Sequence, residues 1–309
     1  MRVWVAVLAA TAKCHSLGIV ESDHGLRTLG TPLLDALELW GMYAASAYQR
    51  FEDWSQCEAC QKPSIRNTDV NATWSTLVPA FSRGYVGIHH TTRQIVVVFR
   101  GSTHIMDALT NSQIMQAAWP SNNTNQTRVH AGFVAAYMAA QPHVLEALHR
   151  IDSDKRLAAY SLHFIGHSLG AAQATLAYID WRLSQPHTRR NSQLVTFGAP
   201  RIGNPQFARM LDSLSNHTPT IEQENVLRVV HECDIVTHLP RSMLLLGEYV
   251  HGGHEIWARD IDTDRKAQDL IVCQHTQEDP DCSASINMLR WTITDHFVYP
   301  GMQLGIPRY

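Results

Sequence analysis

Five residues, Gly166-His167-Ser168-Leu169-Gly170, constrain this chain more than any other stretch, because an apolar run at 160–165 leads into them and a small-residue helical pattern follows. A strand that turns sharply into a helix puts the residue at the turn in a strained backbone conformation with its side chain presented at the strand's end. Ser168 in that setting is expected to be a nucleophile. The flanking glycines remove Cβ atoms that would strike strand or helix, and Ala171, Ala172 and Ala174 let the helix start close to the sheet. G-x-S-x-G arises by chance in roughly one chain in ten of this length, so the flanking pattern carries the inference.

A serine hydroxyl is a poor nucleophile near neutral pH, so a histidine has to take its proton and a carboxylate has to hold that histidine. In a strand-helix fold of this kind the three sit on loops at the C-terminal ends of strands, in the chain order serine, acid, histidine. Asp234 follows the strand pattern ending Val229-Val230-His231 and precedes Leu239-Pro240, which suits the acid. Asp212 falls in a helical pattern, whereas Asp260, Asp262 and Asp264 form a polar run. Of the histidines that follow the acid in the chain, His251, His254, His275 and His296 are weighed as the base. His275 lies in a polar loop between Cys273 and Cys282, and His251 and His254 flank two glycines. His296, in Thr294-Asp295-His296-Phe297, combines a C-terminal loop position with bulky neighbours that exclude water, and is the expected base. His251-x-x-His254-Glu255 lacks a convincing further ligand, so neither a metal nor a cofactor is expected.

The rest of the pattern suits a layered fold. Thr31-Pro32 reads as an N-cap and first helical position, after which Leu33, Leu37, Trp40, Ala44 and Ala47 recur on one helical face. Residues 57–76 read as polar, cysteine-bearing and irregular, 84–88 and 94–99 as two strands, and 132–148 as a helix that Pro142 kinks or breaks. Residues 193–197 and 226–230 read as buried strands with a short helix between them. Such alternation implies a largely parallel sheet with helices on both faces, an α/β class fold.

With 309 residues and 45% hydrophobic content, the chain can bury a full core as a single domain, and no linker divides it. A net charge of −3 without a basic stripe gives no footprint for nucleic acid, and no run after the N-terminus approaches the ~18 apolar residues of a transmembrane anchor. Residues 1–16 read as a secretory signal: Arg2, an apolar stretch at 3–10, and cleavage after Ala12 or Ser16. The alternative is a buried N-terminal strand. Asn71, Asn122, Asn125 and Asn216 are N-glycosylation acceptors in polar stretches, in keeping with export. Six cysteines in an exported chain argue for disulfides, Cys57 with Cys60 and Cys273 with Cys282 as local pairs. Zinc at Cys57-x-x-Cys60 would need a second ligand pair that the sequence lacks. Cys14 and Cys233 either pair, or Cys233 is a buried free thiol if Cys14 leaves with the signal.

Together these segments resemble the fungal class 3 lipase family, over about residues 30–303. Val96-Val97-Val98-Phe99-Arg100-Gly101-Ser102 is similar to that family's strand and oxyanion loop, and His130-Ala131-Gly132-Phe133 to the start of its next helix. Thr196-Phe197-Gly198-Ala199-Pro200-Arg201-Ile202-Gly203-Asn204 is a third match, and 228–236 and Asp295-His296 fall where the family carries its acid and base. The resemblance implies an α/β-hydrolase fold at residues 17–309, a triad of Ser168, Asp234 and His296, and an oxyanion hole from the Ser102 and Leu169 backbone N–H groups.

It also implies a lid at about 103–115, in which Ile105, Met106 and Leu109 could share one face of a short helix. The sequence departs from the family at Ala108, where tryptophan is common, at Cys233, where asparagine is common, and at Thr237, where proline is common. The expectation is a secreted esterase without a cofactor, acting on a small-molecule ester, an acylglycerol, at a lipid–water interface. Within the enzyme class the rivals are a feruloyl-type esterase and a phospholipase A1. From another class, the rival is a catalytically silent lipid-binding protein. Oligomeric state is not legible.

Overall fold

The computed structural model describes residues 31–78, 80–102, 115–120, 126–215, 221–242, 247–259, 270–274, 277–299 and 302–305. The expected signal segment with Cys14, the lid residues Ile105, Met106 and Leu109, and the acceptors Asn122, Asn125 and Asn216 lie outside them.

Eight strands form one sheet: β1 Thr68–Thr76, β2 Ser82–His89, β3 Gln94–Phe99, β4 Ser161–His167, β5 Ser192–Phe197, β6 Val226–His231, β7 His254–Ala258 and β8 Leu270–Val272, in that spatial order. β3 through β7 pair in parallel, with antiparallel strands on either side. The buried strands alternate between two cores. Ile95, Val97 and Phe99 of β3 point into one, with helices α2 Ala131–Ser153 and α3 Leu169–Ser184, while Val96 and Val98 point into the other, with helix α1 Thr31–Ser46. A period of two thus gives each strand two apolar faces, as a sheet covered on both sides requires. A short helix α4, Pro205–Ser213, starts with Asn204 accepting from the Phe207 N–H at 3.0 Å.

Two expectations need correction. Residues 57–76 are not irregular throughout, since Thr68–Thr76 is a nine-residue edge strand. Val70, Ala72 and Trp74 alternate with the exposed Asp69, Asn71, Thr73 and Ser75, but six of the nine residues are polar and only Thr68 and Trp74 are buried, so the apolar signal is short and weak. Pro142 does not end its helix: α2 runs through it to Ser153. Pro142 lies on the exposed side, where water can serve the carbonyl that loses its donor.

Cys57–Cys60 and Cys273–Cys282 are disulfides, with Cα–Cα separations of 5.1 and 6.1 Å. Cys233 is also disulfide-bonded. Asn71 is exposed on β1.

Candidate active site

Ser168 is the junction between β4 and α3, and its φ of 62° and ψ of −129° put a non-glycine residue in a sparsely populated region. Close packing enforces the turn. A Cβ on Gly166 would lie 2.7 Å from the Ala171 nitrogen and closer still to the Gly170 carbonyl, and one on Gly170 would strike the end of β3 at Phe99 and Arg100. Ser168 donates its N–H to the Phe197 carbonyl at 3.0 Å, but its Oγ caps nothing and is buried without a partner. Leu169 follows as the first residue of α3, where backbone N–H groups lack intrahelical acceptors and the helix dipole is positive. Ser102 stands partly buried just beyond the end of β3, beside the β4 elbow.

Asp234 lies three residues past β6 and is fully buried, as is His296. His296 donates from Nδ1 to Asp234 Oδ2 at 2.8 Å, while Asp234 Oδ1 accepts the Val236 N–H at 2.8 Å. Because Nδ1 carries the proton, Nε2 is the bare nitrogen, and it too is buried without a partner. Tyr299 Oη stands 3.5 Å from Asp234 Oδ2, and burial, followed by the charge of Asp234, holds its hydroxyl well above the ordinary phenol range. It therefore remains a donor.

No regular element carries His296. It sits in a single 3-10 turn, Asp295–Phe297, stitched to the Asp234 loop by two backbone bonds, Ile235 N–H to the Thr292 carbonyl (3.0 Å) and Thr292 N–H to the Cys233 carbonyl (2.9 Å). The Asp295 carboxylate accepts the Cys233 N–H at 3.1 Å.

The other candidate bases face elsewhere. His251 is buried and bonds the Thr237 carbonyl through Nε2 at 2.6 Å, and burial, with Arg228 and Arg201 nearby, pushes it well below the ordinary imidazole range. His254 meets Glu224 at 3.4 Å, and His275 lies outside the described residues. Asp212 accepts the Gly253 N–H at 2.7 Å. Among the described residues, Glu255, Cys273 and Cys282 bring ligand-type atoms together, but both sulfurs are in a disulfide and Glu255 pairs with Arg228 at 2.9 Å.

Sequence reasoning missed three residues of this centre. Tyr48 and His167 bond each other at 2.6 Å, and Tyr299 backs Asp234. His167 adjoins the nucleophile in the sequence, which is a signal. Tyr48, more than a hundred residues away, has none.

A parallel-centred sheet, a strained serine at a strand-helix elbow and a buried Asp–His pair define a serine hydrolase of the α/β-hydrolase class. The family Lipase (class 3) matches residues 96–243. A lipase of Rhizomucor miehei is 28% identical over 97% of this chain and 78% of its own length. A secreted mono- and diacylglycerol lipase A of Penicillium cyclopium is 28% identical over 75% of this chain and 72% of its own. The solved structure of the Rhizomucor miehei triacylglyceride lipase superposes with a TM-score of 0.75 at 28% identity, covering 91% of this chain and 99% of that one. This chain is similar to class 3 lipases over nearly all of its length and is a carboxylic ester hydrolase. No helix among the described residues is long and apolar enough to cross a membrane.

Proposed function

We propose that this chain is a secreted acylglycerol lipase, a single domain at residues 17–309 behind a signal segment, working through an acyl-serine intermediate. The observation that carries the site assignment is the Asp234–His296 pair, because its one unpartnered ring nitrogen and the unpartnered Ser168 Oγ are the two atoms that the reaction must join. Ser168 Oγ attacks the ester carbonyl carbon while His296 Nε2 takes its proton, and the tetrahedral oxyanion is held by the N–H groups of Ser102 and Leu169. His296 then returns the proton to the departing alcohol. Water, deprotonated by the same nitrogen, releases the acid from Ser168.

The glyceride assignment is supported by the relatives, whose names are those of triacylglyceride and mono- and diacylglycerol lipases. The apolar side chains Ile105, Met106 and Leu109 in the segment 103–115 suit a lid that meets an oil surface, and Asn71 offers an exposed acceptor to an exported chain. The test is a panel of emulsified tributyrin and triolein, monoolein, phosphatidylcholine and methyl ferulate. Glycerides should turn over fastest. Faster hydrolysis of methyl ferulate or phosphatidylcholine would move the substrate assignment, and resistance of Ser168 to an organophosphonate would remove the site itself.

A further inference from the structure

A buried chain of hydrogen bonds runs behind the site and uses none of the reacting atoms. The Gly101 N–H donates to Tyr48 Oη at 3.1 Å, Tyr48 Oη meets His167 Nδ1 at 2.6 Å, and His167 Nε2 meets the His296 main-chain carbonyl at 2.8 Å. One proton assignment satisfies every atom. A carbonyl only accepts, so Nε2 carries the hydrogen; Nδ1 is then bare and accepts the Tyr48 hydroxyl, whose oxygen accepts from Gly101.

We propose that Tyr48 and His167 are positioning residues that set the catalytic histidine's main chain in register with the oxyanion strand. Gly101 directly precedes Ser102, His167 directly precedes Ser168, and the last link is His296 itself, so one path touches the three segments whose spacing decides the reaction. The packing around it is tight. His167 is fully buried, its ring centroid 4.5 Å from that of His296, and a Cβ on Gly101 would reach 2.9 Å from Ser168 Cβ and strike Tyr48 Oη. Burial, reinforced by the neighbouring His296, holds His167 well below the ordinary imidazole range, and burial keeps the Tyr48 hydroxyl protonated. The single proton assignment therefore persists across the pH range in which the enzyme would work. His296 needs such a hold because its own segment is a 3-10 turn rather than a strand or helix.

The inference rests on the assignment of Ser168 and His296 above. The test uses the full-length enzyme and p-nitrophenyl butyrate below its solubility limit, with kcat counted per site titrated by an organophosphonate. His167→Leu cuts both links, Tyr48→Phe cuts the first, and His167→Gln keeps a donor for the His296 carbonyl while losing the acceptor for Tyr48. Displacements of an ångström or less cost up to about a hundredfold in rate. The expectation is a fall in kcat of about a hundredfold for His167→Leu and about tenfold for the other two, with KM within about twofold. The links act in series, so adding Tyr48→Phe to His167→Leu should cost no more. Unchanged kcat, a loss that falls on KM, or losses that multiply in the double variant would overturn the proposal. If His167→Leu does not fold, the other two variants decide. Failure of the wild-type enzyme to label at Ser168 would instead strike the site assignment.

Discussion

The two halves of this active site are held by different physics. Ser168 and Leu169 are fixed by the backbone of a strand and a helix, contiguous in sequence and pressed together at two glycines. Asp234 and His296 come from loops 62 residues apart, held by side-chain bonds and a short backbone bridge. A half built on regular elements keeps its geometry with little help. A half built on loops depends on every buried polar partner around it.

The largest effects come from the reacting groups themselves. Ser168→Ala should fold normally and lower turnover by on the order of a millionfold, because the remaining groups have no nucleophile to activate. A contamination-controlled assay that leaves even a tenth of the activity would remove the serine half from the comparison. Asp234→Asn should lower kcat by on the order of ten-thousandfold, since an amide at the Oδ2 position no longer stabilises the imidazolium or selects the tautomer with a bare Nε2. His251→Ala, which cuts a bond to the Thr237 carbonyl in the turn that carries Asp234, should cost about 1 to 3 kcal/mol of stability and leave most of kcat. If His251→Ala were the inactive variant and His296→Ala the active one, the base would be misassigned.

That contrast also explains what could be read from the sequence. The Ser168 elbow is legible because a strand, a steric demand for glycine and a helix follow one another within some twenty residues. Asp234 was reachable from chain order after the strand ending at His231, and His296 from its C-terminal loop position and bulky neighbours. The bonds that hold them were not. Tyr48, His167 and Tyr299 are polar groups used in the interior, and nothing in local periodicity distinguishes a tyrosine that packs from one that donates. The edge strand Thr68–Thr76 carries a period of two at Val70, Ala72 and Trp74, but polar residues outnumber them, and its pairing with β2 is a tertiary fact rather than a local one.

The loop-built half should also be the one that a distant defect reaches. Arg228 of β6 and Glu255 of β7 are register partners in the sheet, almost wholly buried and 2.9 Å apart, and Glu255 Oε1 accepts the Ser283 N–H beside the Cys273–Cys282 disulfide. Glu255→Gln leaves the guanidinium buried without its counter-charge, which typically costs about 3 to 5 kcal/mol. Denaturant unfolding would read this loss. A change under about 1 kcal/mol would mean that the pair contributes little to the segment leading to His296.

Acid should separate the halves with the smallest perturbation. Three buried histidines surround the acid–base half. Burial lowers His231, moves His238 from 6.5 to about 4, and drives His251 well below the ordinary range, with Arg201 reinforcing the last two. On the nucleophile's side, His163 is likewise lowered by burial to about 4 and His167 is held well below the ordinary range, but they lie on β4 at the centre of the sheet. Each of these groups has a folded-state value below its unfolded one, so between about pH 6.5 and 4 the unfolded chain binds more protons. Stability is then fully present above pH 6.5 and declines as the pH falls, by about 1.4 kcal/mol per pH unit for each histidine that stays neutral in the folded state. Local openings follow the same sign wherever they expose such a ring. Protection factors from hydrogen exchange at pH 7 and pH 5 should therefore fall first in 231–238 and 251–258, while 161–184 retains its protection. Equal losses in both, or earlier loss in 161–184, would mean that regular structure gives the nucleophile no advantage over the loops that hold its base.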